Sequence, residues 1–298
     1  MKYNQLGKSD LHVSEISFGC MSLGEDHSAN ARLLHQALDN GINYFDTADL
    51  YQQGANEETV GKAFRDRRDQ VILATKVGNQ GRPDGSGWDW NPSKRYILQA
   101  VDKSLQRLQT DYIDLYQLHG GTLDDPIGET IEAFEQLVQE GKIRYYGISS
   151  IRPNVIREYV QRSNIVSVMM QYSLLDRRPE ESSLGLLQEH QISVLARGSY
   201  AQGLLLGKPA KEYLGHTPEQ VAKAATAIKE VAGAGRTAAE VAVRFVLASP
   251  VVASGVLGVR TDEQLQEAIW VAKAPALTAS EVEELRSTVL PNRYEQHR

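Results

Sequence analysis

The chain has 298 residues, 41% hydrophobic and 23% charged, ordinary proportions for a globular protein able to bury a large core. Its net charge of −6, without a long basic run, argues against nucleic acid or an anionic membrane as a general partner. One cysteine, Cys20, excludes an internal disulfide, and the start, Met1-Lys2-Tyr3-Asn4-Gln5, lacks an apolar targeting core, so a cytoplasmic protein is expected.

Residues 2–18 read as a small hairpin, with Tyr3 and Leu6 before a Gly7-Lys8-Ser9-Asp10 turn and Val13, Ile16 and Phe18 after it. Ala31, Leu34 and Leu38 then recur at helical spacing, and Gly41 is the expected stop. From there apolar runs at 42–45, 71–74, 113–118, 143–148, 165–170, 192–196 and 251–257 alternate with helical segments. Those segments lie near 56–66, 93–108, 127–140, 153–162, 180–190, 237–248 and 262–273, the second opening at Asn91-Pro92-Ser93 with proline in its first turn. With the segment 14–18 there are eight strands, each followed by a helix. That alternation predicts parallel pairing with right-handed crossovers and a closed α/β barrel as a single domain, 1–298. Helices at 217–233 and at 278–289, the latter capped by Thr278, are extra to the alternation and belong on the outside.

The segment Asn43-Tyr44-Phe45-Asp46-Thr47-Ala48-Asp49-Leu50-Tyr51 organises the rest. A buried strand ends there on a carboxylate, which is costly without a cationic partner. A tyrosine follows five residues later, and Asn56 is read as the N-cap of the next helix, with Glu57 and Glu58 favoured by its dipole. The other runs also close on polar residues: Lys76, His119, Ser149 and Ser150, Gln171 and Arg197. In a parallel barrel these carboxyl ends share one rim, so Asp46, Tyr51, Lys76 and His119 are expected to converge. A phenol is a poor acid, with a pKa near ~10; a neighbouring ammonium lowers it, and a carboxylate keeps that ammonium charged. With a histidine to orient a carbonyl, the set suits protonating a nascent alkoxide, and a cofactor must supply the hydride.

At these residues the chain resembles the aldo-keto reductases. The resemblance is carried by Phe45-Asp46-Thr47-Ala48-Asp49-Leu50-Tyr51, Leu73-Ala74-Thr75-Lys76, Asp111-Tyr112-Ile113-Asp114-Leu115-Tyr116-Gln117-Leu118-His119 and Gly147-Ile148-Ser149. Ala201-Gln202-Gly203-Leu204-Leu205, and Gly258-Val259-Arg260 followed by Glu263-Gln264-Leu265, complete it. It implies a (β/α)8 TIM barrel that reduces aldehydes or ketones with NADPH. Tyr51 is then the general acid, and Lys76, Asp46 and His119 assist it. For the cofactor it implies Gly19, Cys20 and Met21 after the first strand, and Ser149 and Gln171 at the nicotinamide carboxamide. Ser150 stands where the family often has asparagine. Arg197 replaces a stacking aromatic and is expected to contact the ring, since a guanidinium also stacks. Gly198, Gln202, Gly203, Leu204 and Lys208 follow the seventh strand. Gly258, Arg260 and Gln264 complete the set, Arg260 for the 2′-phosphate and Gln264 for adenine, while Ala268 replaces the usual asparagine.

The loop 79–91 after Lys76 either walls a substrate pocket with Trp88 and Trp90 or packs those rings on the barrel. Gly233-Ala234-Gly235-Arg236 imitates a dinucleotide fingerprint but follows a helix, so it reads as a helix–helix turn. The histidines have no metal-ligand spacing, and a monomer is the default. Two other activities fit the rim: a Schiff-base aldolase with Lys76 as nucleophile, and a redox-sensing NADPH-binding protein with little turnover.

Overall fold

A computed structural model describes residues 1–82 and 84–298. Eight parallel strands close a barrel in the order β10-β11-β12-β3-β4-β5-β8-β9. These are β3 (Ile16–Gly19), β4 (Tyr44–Asp46), β5 (Ile72–Val77), β8 (Ile113–Leu118), β9 (Ile143–Ser149), β10 (Ser167–Gln171), β11 (Ser193–Arg197) and β12 (Val252–Gly258). Around them run α1 (His27–Asp39), α2 (Ala55–Phe64), α3 (Lys94–Leu108), α4 (Ile127–Gln139), α5 (Pro153–Arg162), α6 (Ser183–Glu189), α8 (Ala238–Leu247) and α9 (Asp262–Lys273). The fold is the expected (β/α)8 TIM barrel. The additional helices α7 (Pro218–Ala232) and α10 (Ala279–Thr288) lie outside the alternation, and both open on a threonine capping box.

Some local expectations change. The amino-terminal hairpin is β1 (Tyr3–Gln5) against β2 (His12–Ser14), and β3 is a separate barrel strand rather than its second arm. Asn56 is not a cap: it lies inside α2, fully buried, accepting from Thr47 Oγ1 at 2.6 Å and donating to the Cys20 carbonyl at 2.9 Å. Ser93 caps α3, so Pro92 precedes the helix instead of opening it. The 180–190 segment is divided into a 3-10 turn, Arg178–Glu181, and the shorter α6. The 79–91 loop is itself a hairpin, β6 (Asn79–Gly81) against β7 (Trp88–Trp90); Pro83 within it lies outside the described residues. Gly233–Arg236 is the turn between α7 and α8.

Two apolar cores follow from the strand period of two. Phe18, Phe45, Leu73, Tyr116 and Ile148 face outward onto the helices, while Tyr44, Ala74, Leu115, Met169 and Leu195 fill the barrel interior. Leu6, Leu11 and Val13 of the hairpin join the interior set and plug the end where the strands begin. Gly7 makes that fit possible: its φ is +56°, and a Cβ there would stand 2.2 Å from the Val166 carbonyl oxygen. The other end of the barrel remains for polar side chains.

Candidate active site

The same alternation aims the polar residues. In β4 the inward positions are Tyr44 and Asp46; in β5, Ala74 and Lys76; in β8, Leu115 and Gln117. Thus the layer above the apolar interior is Asp46, Lys76 and Gln117, with Lys76 directly opposite Gln117 in the register. Lys76 Nζ donates to Asp46 Oδ2 at 2.5 Å and to the Thr47 carbonyl at 2.8 Å, and Gln117 Nε2 donates to Asp46 Oδ1 at 3.1 Å. All four residues are buried. Gln117 was not among the residues expected from the sequence, although its inward position beside Lys76 was the available signal.

Tyr51 begins the turn after β4, with the Lys76 ammonium 5.1 Å from its ring centre. His119, one residue past β8, meets Tyr51 edge-on with ring centres 5.9 Å apart. Asp46, Tyr51, Lys76 and His119 are therefore brought together at one rim.

The electrostatics of this group differ from expectation in one respect. Burial raises the Tyr51 phenol above its ordinary pKa and outweighs the lowering by Lys76 and Arg197, so the net shift is upward. Burial opposes the Lys76 charge, but Asp46 and Tyr51 together overcome it and hold the ammonium above its usual range. Burial likewise pushes the Asp46 carboxyl up, against the pull of Lys76 and Gln117. Burial, then Lys76, then Arg197 lower His119 to about 3, so its imidazole is neutral, and among the described residues its buried Nδ1 has no hydrogen-bond partner.

At the same rim, where Gly258 of β12 pairs with Gly19 of β3 and Gly19 with Asp46 of β4, a cavity of roughly 430 Å³ lies between the loop after β11 and the end of β12. Of the expected cofactor residues, Gly198, Gln202, Gly203, Lys208, Gly258 and Gln264 line it. A Cβ at Gly258 would stand 2.9 Å from Ser22 Oγ, and one at Gly203 would stand 2.8 Å from the Lys208 chain, so only glycine lets these two side chains pack so closely on the backbone. Gly19 is paired with Gly258 on the adjacent strand. Ser149 and Gln171 are half-buried at strand ends, and Ser150 is buried with its Oγ accepting from Arg152 N–H at 3.2 Å. Cys20 is wholly buried, its thiol pushed up by burial and Asp46, whereas Met21 is 65% exposed.

Leu204 is buried in the outer core, which leaves only its backbone for a ligand. Arg260 is exposed, and its N–H is held by Gln264 Oε1 at 3.0 Å. Glu267, Tyr200, Ser199 and Ser22 also line the cavity. The sequence reading missed them because their positions follow from the packing of α9 and the β11 loop. Trp90 packs on the barrel, donating from Nε1 to Asp125 at 2.9 Å, while Trp88 is 48% exposed. Among the described residues, no group of three His, Cys, Asp or Glu is placed to hold a metal ion.

The model of the Aldo/keto reductase family matches residues 15–289. An uncharacterized oxidoreductase, YqkF, of Bacillus subtilis (strain 168) is 54% identical over the whole of both chains. The aldo-keto reductase AKR11C1 from Bacillus halodurans, in its holo form, has a TM-score of 0.94 at 54% identity, covering 100% of this chain and 99% of that one. Its apo form has a TM-score of 0.87 at 52% identity over the same shares. With this match in sequence and fold, the chain belongs to the aldo/keto reductase family of oxidoreductases that act on carbonyl compounds.

Proposed function

We propose that the protein reduces aldehydes or ketones to alcohols with NADPH, and that Tyr51 donates the proton. The observation that carries this reading is the Asp46–Lys76–Tyr51–His119 group on the same barrel rim as a cleft lined by Gly198, Gly203 and Gly258. The cleft suits a dinucleotide: glycines allow close approach, and Gln202, Gln264 and Lys208 offer amides and a cation. Ser149, Ser150 and Gln171 would receive the nicotinamide carboxamide, and Lys208 and Arg260 the phosphates. Bound there, the reduced nicotinamide supplies the hydride.

Each residue then has a task. A phenol raised above its ordinary pKa stays protonated at neutral pH and is ready to give its proton to an alkoxide. The Lys76 ammonium stabilises the phenolate left behind, and Asp46, Thr47 and Gln117 keep that ammonium fixed. Neutral His119 can present an N–H to the carbonyl oxygen without adding charge beside Lys76. An aldolase would require a neutral Lys76. A lysine held cationic by two acceptors, with its pKa raised, speaks against that chemistry.

The test follows NADPH oxidation with a panel of aromatic and dicarbonyl aldehydes. Tyr51→Phe is expected to lose about 10²–10⁴ in turnover while its NADPH dissociation constant stays within about twofold. Absence of turnover by the parent protein on every carbonyl, with NADPH tightly held, would replace this reading with the redox-sensing one. For the coenzyme, Arg260→Ala is expected to weaken NADPH by about 10–100-fold, the worth of charge-assisted hydrogen bonds, and NADH hardly at all. Equal losses for the two would remove the 2′-phosphate assignment.

A further inference from the structure

Gln171 ends β10, and its partner in the register across to β11 is Arg197. Arg197 Nη1 donates to Gln171 Oε1 at 3.3 Å, and Gln171 Nε2 donates to the Tyr213 hydroxyl at 2.9 Å. Tyr213 is only 7% exposed. Its segment is held in place by a reciprocal backbone pair with His216 (3.1 and 3.0 Å), and Asn292 Nδ2 donates to the Leu214 carbonyl at 3.3 Å. The stem of Gln171 also packs against Gly198, where a Cβ would stand 3.1 Å from Gln171 Cγ.

A side-chain amide has two ends of nearly the same shape and opposite hydrogen-bonding sense, so only its neighbours decide which end is which. A tyrosine hydroxyl either donates or accepts and cannot decide alone. A guanidinium only donates, so the end facing Arg197 must be the carbonyl. The NH2 end then falls to Tyr213, whose hydroxyl accepts. One N–H and one oxygen lone pair remain uncommitted, the complement of another primary amide.

We infer that Arg197 and Tyr213 are positioning residues that lock the Gln171 amide in a single orientation to receive a primary carboxamide, the group carried by nicotinamide. The inference rests on the coenzyme reading proposed above. It gives Arg197 a task other than stacking: the residue that replaces an aromatic ring acts through Gln171. Fixing the amide before the ligand arrives removes an ordering cost that binding would otherwise bear.

The experiment measures dissociation constants, by protein fluorescence or calorimetry, for NADPH and for 2′-phospho-ADP-ribose, which lacks the nicotinamide. Tyr213→Phe is expected to weaken NADPH by about tenfold, the scale of one hydrogen bond, and to leave 2′-phospho-ADP-ribose unchanged. In a Gln171→Ala background the same substitution should change neither, since its effect passes through the amide. Arg197→Met is the second variant, with the same pattern expected, should Tyr213→Phe fold poorly. Equal weakening of both ligands, an undiminished loss in the Gln171→Ala background, or no loss for NADPH would overturn the inference. A parent protein that binds 2′-phospho-ADP-ribose but gains nothing from the nicotinamide would also overturn it. Failure of the parent to bind either NADPH or NADH would instead overturn the coenzyme reading, and the inference with it.

Discussion

At the residue scale, the Lys76–Asp46 pair shows why charge can persist in an apolar barrel. Both side chains are almost wholly buried, so each is tolerated only because the other is there. Lys76→Met should therefore cost about 3–5 kcal/mol of stability by leaving Asp46 buried without its cation. Adding Asp46→Asn should recover much of that loss while leaving turnover abolished. Denaturant unfolding of the two variants measures this, and a double variant no more stable than Lys76→Met would show that the pair is not the source. Asp46, Lys76, Tyr51 and His119 were legible in the sequence because each closes an apolar run or follows one closely. Gln117 was hidden because it lies within a run, where only knowing which positions face inward distinguishes it from a core residue.

At the element scale, α2 and α3 touch closely around Gly61. A Cβ there would stand 2.4 Å from the Arg107 carbonyl oxygen and 2.6 Å from Leu108 Cα, both backbone atoms that cannot give way alone. The contact carries an ion pair, buried Glu57 with half-buried Arg107 Nε at 2.6 Å, and Glu57 also accepts from Thr75 of β5 at 2.5 Å. Gly61→Ala should raise helix propensity yet destabilise by about 1–3 kcal/mol through overpacking. A neutral or stabilising effect in thermal unfolding would show that the helices can part without cost. The helices themselves were legible from periodicity and, at α10, from its threonine cap, whereas the threonine caps of α7, α8 and α9 emerged only in the structure. The partner of Glu57 was not, since a first-turn glutamate looks the same in sequence whether it faces solvent or an arginine 50 residues away.

At the scale of the whole molecule, two half-buried groups on the rim tie stability to pH in opposite senses. Burial and the nearby Glu57 raise Asp49 to about 7, and among the described residues its Oδ1 has no hydrogen-bond partner. The folded chain thus keeps a proton that the unfolded chain has lost, and stability falls as pH rises from about 4 to 7. His119, lowered to about 3, acts the other way. The unfolded chain takes up its proton first, so stability falls as pH drops from about 6.5 toward 3. Asp49→Asn removes the first effect alone. It is expected to add about 1–3 kcal/mol at pH 8 and less at pH 5. An equal gain at both values, in thermal unfolding followed by circular dichroism, would mean that Asp49 does not titrate as described.

The sequence by itself determined the barrel and the rim at which its polar strand ends gather. Strand and helix periods are local properties, parallel pairing follows from their alternation, and side chains at strand ends must then meet at one mouth. Only the tertiary structure decided how the site is tuned and held. The upward shift of Tyr51 depends on how much water its pocket excludes, and the pairing of Gln171 with Arg197 and Tyr213 depends on a loop folding back across 42 residues. Desolvation and long-range hydrogen bonds are properties of packed neighbours, and neighbours distant in the chain are set by the closed barrel and its loops.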